Sequence, residues 1–167
     1  MSQTFKSILC PVDLSSFSLD ALKLAVTLAA TNDATLDILH VIHNPFDEIY
    51  MTGMTQSDPA LIDTYANEPR QRAKILRTTE EQAEALLKQY CNPIVQHYPK
   101  VRYHIRKGDP FEAILDGTDD FLIDLVVLAT HGRTGIKRLL IGNVAEKVVR
   151  HAPCPVLTVK PNMEGQL

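Results

Sequence analysis

Three of the chain's seven glycines, Gly132, Gly135 and Gly142, fall within ATHGRTGIKRLLIGNVAEKVV, residues 129–149, and Asn143 directly follows the last of them. The run LIDLVVLA at 122–129 precedes this segment as a strand, and a helix is expected from about Asn143 to His151. A strand leading through a glycine-rich loop into a helix gathers unpaired backbone amides at the positive end of the helix dipole. That is the chemistry of an anion site. Gly132 and Gly135 let the backbone turn tightly or approach a ligand with no Cβ in the way, and the pair Gly142-Asn143 does the same at the helix start. Arg133, Lys137 and Arg138 could neutralise phosphate, and His131 could donate to it or act as an acid or base. The same residues also describe a plain turn, in which the glycines shape the loop, Asn143 caps the helix and the basic residues face water. The spacing is neither GxxxxGK[ST] nor GxGxxG, so neither P-loop hydrolysis nor dinucleotide binding is suggested.

Other reactive side chains have plainer readings. Cys10 and Cys154 each precede a proline beside or within an expected strand and read as core packing. Cys91 completes an odd set of three with no CxxC pair, which suits a reducing compartment. His40 and His43 stand three apart, so an extended strand sends them to opposite faces and no metal site is expected there. Glu80, Glu81 and Glu84 read as a solvated helix face. No serine or cysteine nucleophile has an identifiable base, and the loop has no carboxylate pair.

These residues must be positioned by the elements around them. SILCPV at 7–12 is a buried strand that ends at Asp13, and Ser15 or Ser16 can cap a helix running from Ser18 to about Thr31. TLDILHVI at 35–42 is a second strand, followed by a long surface excursion over 44–69. A second helix is expected from about Glu68 to Tyr90, with Leu76, Ala83, Leu86, Leu87 and Tyr90 on one face and an end before Pro93. Residues 100–106 alternate, with Val101, Tyr103 and Ile105 opposite Arg102, His104 and Arg106, as in an edge strand with one wet face. Asp109 and Pro110 start a third helix, and PVLTVK forms the last strand.

Strands alternating with helices predict an α/β fold with a doubly wound parallel sheet in one domain, 1–167. Ligands of such sheets sit beyond the C-terminal strand ends where the strand order reverses. Asp13, the end of the second strand near Val41, and the loop after Ala129 satisfy that rule.

The composition narrows the partners. With 45% hydrophobic residues the chain can bury a core, and its 17 Lys and Arg against 20 Asp and Glu give no field of one sign to hold nucleic acid or an anionic membrane. MSQTFKS has no signal-peptide core, and no run approaches a membrane span. A soluble, cytoplasmic protein is the expectation.

VVLATHGRTGIKRLLIGNVAEKVVRHAPCPVLTVK, together with ILCPVDLS near the start, resembles the universal stress protein family, and the likeness covers nearly the whole chain, least in 44–69. The resemblance implies a five-stranded parallel sheet with helices on both faces, of the adenine nucleotide alpha hydrolase-like kind. It also implies a homodimer joined through the C-terminal strand. The nucleotide-binding branch has a G-x2-G-x9-G-[ST] motif, which Gly132 and Gly142 match at its second and third glycines, while Ala129 and Asn143 replace the first glycine and the Ser or Thr. By the same resemblance ATP or AMP, with or without Mg²⁺, would meet Asp13 at the adenosine and the main chain near Val41 at the adenine edge. Pro11, Ala129, His131, Gly132, Arg133, Gly142, Asn143 and Val144 complete the implied site. A stress sensor or regulator with an unidentified protein partner is the leading expectation. A dimeric interaction protein without nucleotide, and a slow ATPase or autophosphorylating protein, are the other two.

Overall fold

The computed structural model describes residues 4–42, 69–130 and 142–160, with the side chains of its second helix from Thr79 onward. The first segment gives β1 (Ser7–Pro11), α1 (Ser16–Asn32) and β2 (Thr35–Ile42). The second gives α2 (Pro69–Val95), β3 (Val101–Lys107), α3 (Pro110–Asp120) and β4 (Leu125–Ala129), and the third gives α4 (Asn143–His151) and β5 (Val156–Val159). The five strands form one parallel sheet in the order β3-β2-β1-β4-β5. The chain winds outward from β1 to β3, then returns to the far side of β1 with β4. The reversal therefore lies between β1 and β4, as expected for a doubly wound sheet.

Strand alternation sorts the core into two layers. Ile8, Cys10, Leu36, Ile38 and Val127 meet Ala21, Leu22 and Ala25 of α1 and Leu87 and Cys91 of α2 on one face. On the other, Leu9, Leu39, Val126 and Leu128 meet Ile114 of α3 and Ala145 and Val148 of α4. β1 and β4 are covered on both faces, which is why both read as unbroken apolar runs. Burial pushes the Cys10 thiol far above its usual range, with Cys91 adding to the effect, and burial also pushes Cys91 up to about 12. Both therefore pack as small hydrophobes.

Of the two possible caps of α1, Ser15 is the one used: its hydroxyl accepts from the Ser18 amide at 3.3 Å. Ser15→Ala is expected to cost about 1 kcal/mol, read as a lower urea midpoint at unchanged slope. Asp109 caps α3 as expected, accepting from Phe111 and Glu112 with Pro110 in the first turn.

The second helix departs from expectation at its end. It continues through Pro93 to Val95, even though proline offers no amide to the Gln89 carbonyl. Burial of Cys91 and Val95 against the sheet outweighs that loss in the last turn. Leu86, expected on the inner face, is 51% exposed, while the stripe through Leu87, Tyr90, Cys91, Ile94 and Val95 packs inward. Glu80 and Glu84, read from sequence as simply solvated, pair with Lys107 and Lys88 at 2.7 and 2.6 Å.

β3 is an edge strand, and Val101, Tyr103 and Ile105 pack inward as its alternation implies. The opposite face is more structured than a wet one. Arg102 donates two hydrogen bonds to Asp37, at 2.7 and 2.8 Å, and His104 Nε2 meets the same carboxylate at 2.7 Å. The Ser7 hydroxyl adds a longer bond at 3.4 Å, His104 stacks on Phe121 at 3.9 Å, and Arg106 pairs with Asp120. Lys100, at the strand's entry, pairs with Asp33 at 2.6 Å. The acids serving Lys100, Arg102, Arg106 and Lys107 thus come from four places: the end of α1, β2, the end of α3 and α2.

Candidate functional site

A cleft of about 400 Å³ opens beyond the C-terminal ends of β1, β2 and β4, at the reversal of strand order. One wall is Pro11, Val12 and Asp13 at the exit of β1, with Leu39 and Val41 of β2 behind them. Pro110 and Ile114 of α3 form a second wall, and Ala129, Thr130 and the start of α4 form the third.

The exit of β1 is a strained turn. Leu14 holds a φ of 63°, in the left-handed region that a branched side chain adopts at a cost. Asp13 braces it, accepting from the Ser15 amide at 3.0 Å and from the Ser15 hydroxyl at 2.5 Å. The carboxylate both lines the cleft and fixes the turn that presents it.

Val41 contributes through its backbone. The Leu39 carbonyl accepts from the Val12 amide, and the Ile42 carbonyl accepts from the Gly108 amide on the β3 side. Alternation along a parallel ladder therefore turns the amide and carbonyl of Val41 toward β1. The last β1–β2 pair is Pro11 with Leu39, so β1 has already left the sheet at that level. The two polar groups of Val41 face the cleft rather than a strand.

Helix α4 supplies the electropositive wall. Gly142 is its cap residue and makes no side-chain cap bond, and the first intrahelical bond runs from the Glu146 amide to the Gly142 carbonyl. The helix thus offers no carbonyl to the amides of Asn143, Val144 and Ala145, and all three residues line the cleft. The Gly142 amide is already used, donating to the Thr130 carbonyl at 2.7 Å. A Cβ on Gly142 would lie 3.2 Å from that oxygen. Glycine here permits the helix start to dock closely on the end of β4. Asn143 is the first residue of the helix, so the cap role considered for it belongs to Gly142.

The model of the universal stress protein family matches residues 4–160. The chain belongs to the universal stress protein family. This universal stress protein is 32% identical over 157 residues to a family member from Methanocaldococcus jannaschii, covering 93% of this chain and 82% of that one. Its structure is similar to that of a universal stress protein from Lactobacillus plantarum, with a TM-score of 0.70, 26% identity, and coverage of 95% and 99% of the two chains. A more distant universal stress protein from Arabidopsis thaliana, solved with AMP bound, shares the fold at a TM-score of 0.55 and 18% identity, covering 97% of this chain and 96% of that one.

In this universal stress protein the cleft gathers Pro11, Asp13, Val41, Ala129, Gly142, Asn143 and Val144 from the residues expected at a site. His131, Gly132 and Arg133, with His43 and the excursion up to residue 68, lie outside the described residues. Thr130 was not anticipated, although it anchors Gly142 and donates its own amide to the Val159 carbonyl at 2.9 Å. Pro110 and Ile114 were also missed, since they sit on a helix with no motif. Cys154, half-buried, packs against the α3–α4 layer, and burial raises its thiol above the usual range. Among the described residues no helix is long and apolar enough to cross a membrane.

Proposed function

We propose that this universal stress protein binds ATP or a related adenine nucleotide in the cleft and acts in the cytoplasm as a sensor or regulator. The supporting observation is that Asp13, the cleft-facing backbone of Val41 and the amides of Asn143, Val144 and Ala145 converge on one cavity. Asp13 suits a ribose hydroxyl, the amide and carbonyl of Val41 suit an adenine edge, and the start of α4 suits phosphate. Pro11, Leu39, Ile114 and Leu128 offer apolar surface for a base between them. The close docking of Gly142 on Thr130 fits a cradle built for backbone approach. His131, Gly132 and Arg133 extend the phosphate side by sequence. Mg²⁺, where ATP is the ligand, would be held mainly by phosphate oxygens and water. The AMP bound by the distant relative of the same fold agrees with this reading. Pairing of two copies through the β5 edge and an unidentified regulatory partner complete the proposal.

A second reading, a dimeric interaction protein without nucleotide, is favoured by Ala129 alone. Its methyl stands where the motif has glycine, and it packs on the α1–α2 layer while lining the cleft. Calorimetric titration with ATP and with AMP, each with Mg²⁺, separates the two, after a denatured sample has been assayed for released nucleotide. Saturable heat or a released adenine nucleotide is the expected result. No heat at millimolar ligand and no released nucleotide would overturn the nucleotide reading and leave the interaction protein.

A further inference from the structure

His40 is a polar residue in an apolar layer. It lies on β2 on the same face as Leu36 and Ile38, toward α1 and α2, and is 7% exposed. Its Nδ1 lies 2.6 Å from the Val12 carbonyl oxygen. A carbonyl oxygen only accepts, so the proton of that bond is on Nδ1. The Val12 amide meanwhile donates to the carbonyl of Leu39, the residue before His40, at 2.8 Å. Two consecutive residues of β2 therefore clamp Val12 through both of its backbone polar groups.

Val12 leads from this clamp directly into the strained turn. Asp13 follows it, and then Leu14 at φ 63°. A bulky residue stays in that region only where its surroundings hold it. On the other side, Val41 follows His40 directly and turns its backbone toward the cleft. One imidazole thus connects the two segments that form the nucleoside side of the cavity.

We propose that His40 is a positioning residue of the cleft, its Nδ1–H holding the Val12 carbonyl so that the Asp13–Ser15 turn keeps a fixed spacing from Val41. The consequence for ligand affinity rests on the nucleotide reading. The consequence for the turn does not.

The test compares wild type with His40→Asn, whose side-chain amide can place a donor near the Nδ1 position, and His40→Leu, which has none. Amide hydrogen exchange is followed at Ser15, whose amide is bonded to Asp13, and in β4 as a reference, and each protein is titrated with ATP and Mg²⁺. His40→Leu is expected to speed exchange at Ser15 about tenfold, with β4 protection kept, and to weaken ATP binding about tenfold, the worth of one lost buried hydrogen bond. His40→Asn should restore both toward wild type. Wild-type exchange rates at the turn in His40→Leu, or an asparagine variant no better than leucine, would overturn the proposal. If His40→Leu does not fold, the imidazole ¹⁵N shifts of wild type decide: a protonated Nδ1 supports the bond and a bare Nδ1 overturns it. A wild type that ignores ATP would overturn the nucleotide reading, while the exchange data would still judge His40.

Discussion

Alanine in place of Asp37 is expected to lower the unfolding free energy by about 3 kcal/mol, a fall of roughly 6–12 °C in Tm for a chain of this size. The carboxylate is fully buried, and it accepts from Arg102 twice, from His104 and from Ser7. Removing one partner of a buried ion pair costs about 3–5 kcal/mol when the other charge is left stranded. Here Arg102 is 52% exposed and can return to water, whereas His104, 22% exposed and stacked on Phe121, has less freedom to do so. The low end of that range follows. A loss of less than 2 °C, measured by calorimetry, would mean that both partners are resolvated without cost.

The same carboxylate sets an acid limit. Burial pushes Asp37 up, but the hydrogen bonds from His104 and Arg102 and the Arg102 charge outweigh burial and leave it below the ordinary carboxylate range. The unfolded chain then holds this proton more tightly than the folded one. Stability from Asp37 is therefore complete above about pH 4, its unfolded value, and is lost as pH falls through the lower folded value. The Tm gap between wild type and Asp37→Ala should narrow on acidification below that point. A gap that stays constant down to pH 3 would contradict this assignment.

Valine in place of Gly142 is expected to weaken ATP binding about 100-fold, the equivalent of one or two charge-assisted hydrogen bonds. A Cβ at that position would meet the Thr130 carbonyl at 3.2 Å, and two further carbons would crowd a backbone atom that cannot rotate away. The helix start must then retreat, taking the amides of Asn143, Val144 and Ala145 with it as a group. Gly142→Ala should lose less, since a few tenths of an ångström relieve one methyl. Unchanged ATP affinity in the valine variant, with helix content preserved by circular dichroism, would show that no phosphate rests on this helix.

Much of this arrangement could be read from local chemistry. Apolar runs marked β1, β2 and β4, and strict alternation marked β3 and its position at an edge. Asp109-Pro110 announced the start of α3. The placement of Asp13, Val41 and Gly142 around one opening followed from strand order, because a doubly wound sheet exposes its C-terminal ends where the order reverses. What was not legible depends on register between distant segments. Asp37 is a lone acid inside an apolar run, and its partners Arg102 and His104 stand 65 and 67 residues away. Only the pairing that sets Asp37 beside Arg102 reveals the network. Pro93 misled for a similar reason: a local rule against proline yields when Val95, two residues later, is buried by tertiary packing. Thr130 gave no signal because its bonds, from the backbone to Gly142 and from both amide and hydroxyl to Val159, depend on where those segments dock.

The ion pairs of β3 also bear on how the protein associates. Both margins of a sheet carry unpaired backbone groups that invite another chain. At one margin four basic residues are tied to acids from four places in the fold, and an incoming strand would meet charge along its length. At the other, β5 is Val156, Leu157, Thr158 and Val159, with no charge at all. Among the described residues, one margin is charged and the other apolar, a difference that favours a neighbouring strand on the β5 side alone. Under the pairing proposed through β5, assembly would close at two copies, because growth into a filament would need the charged β3 margin.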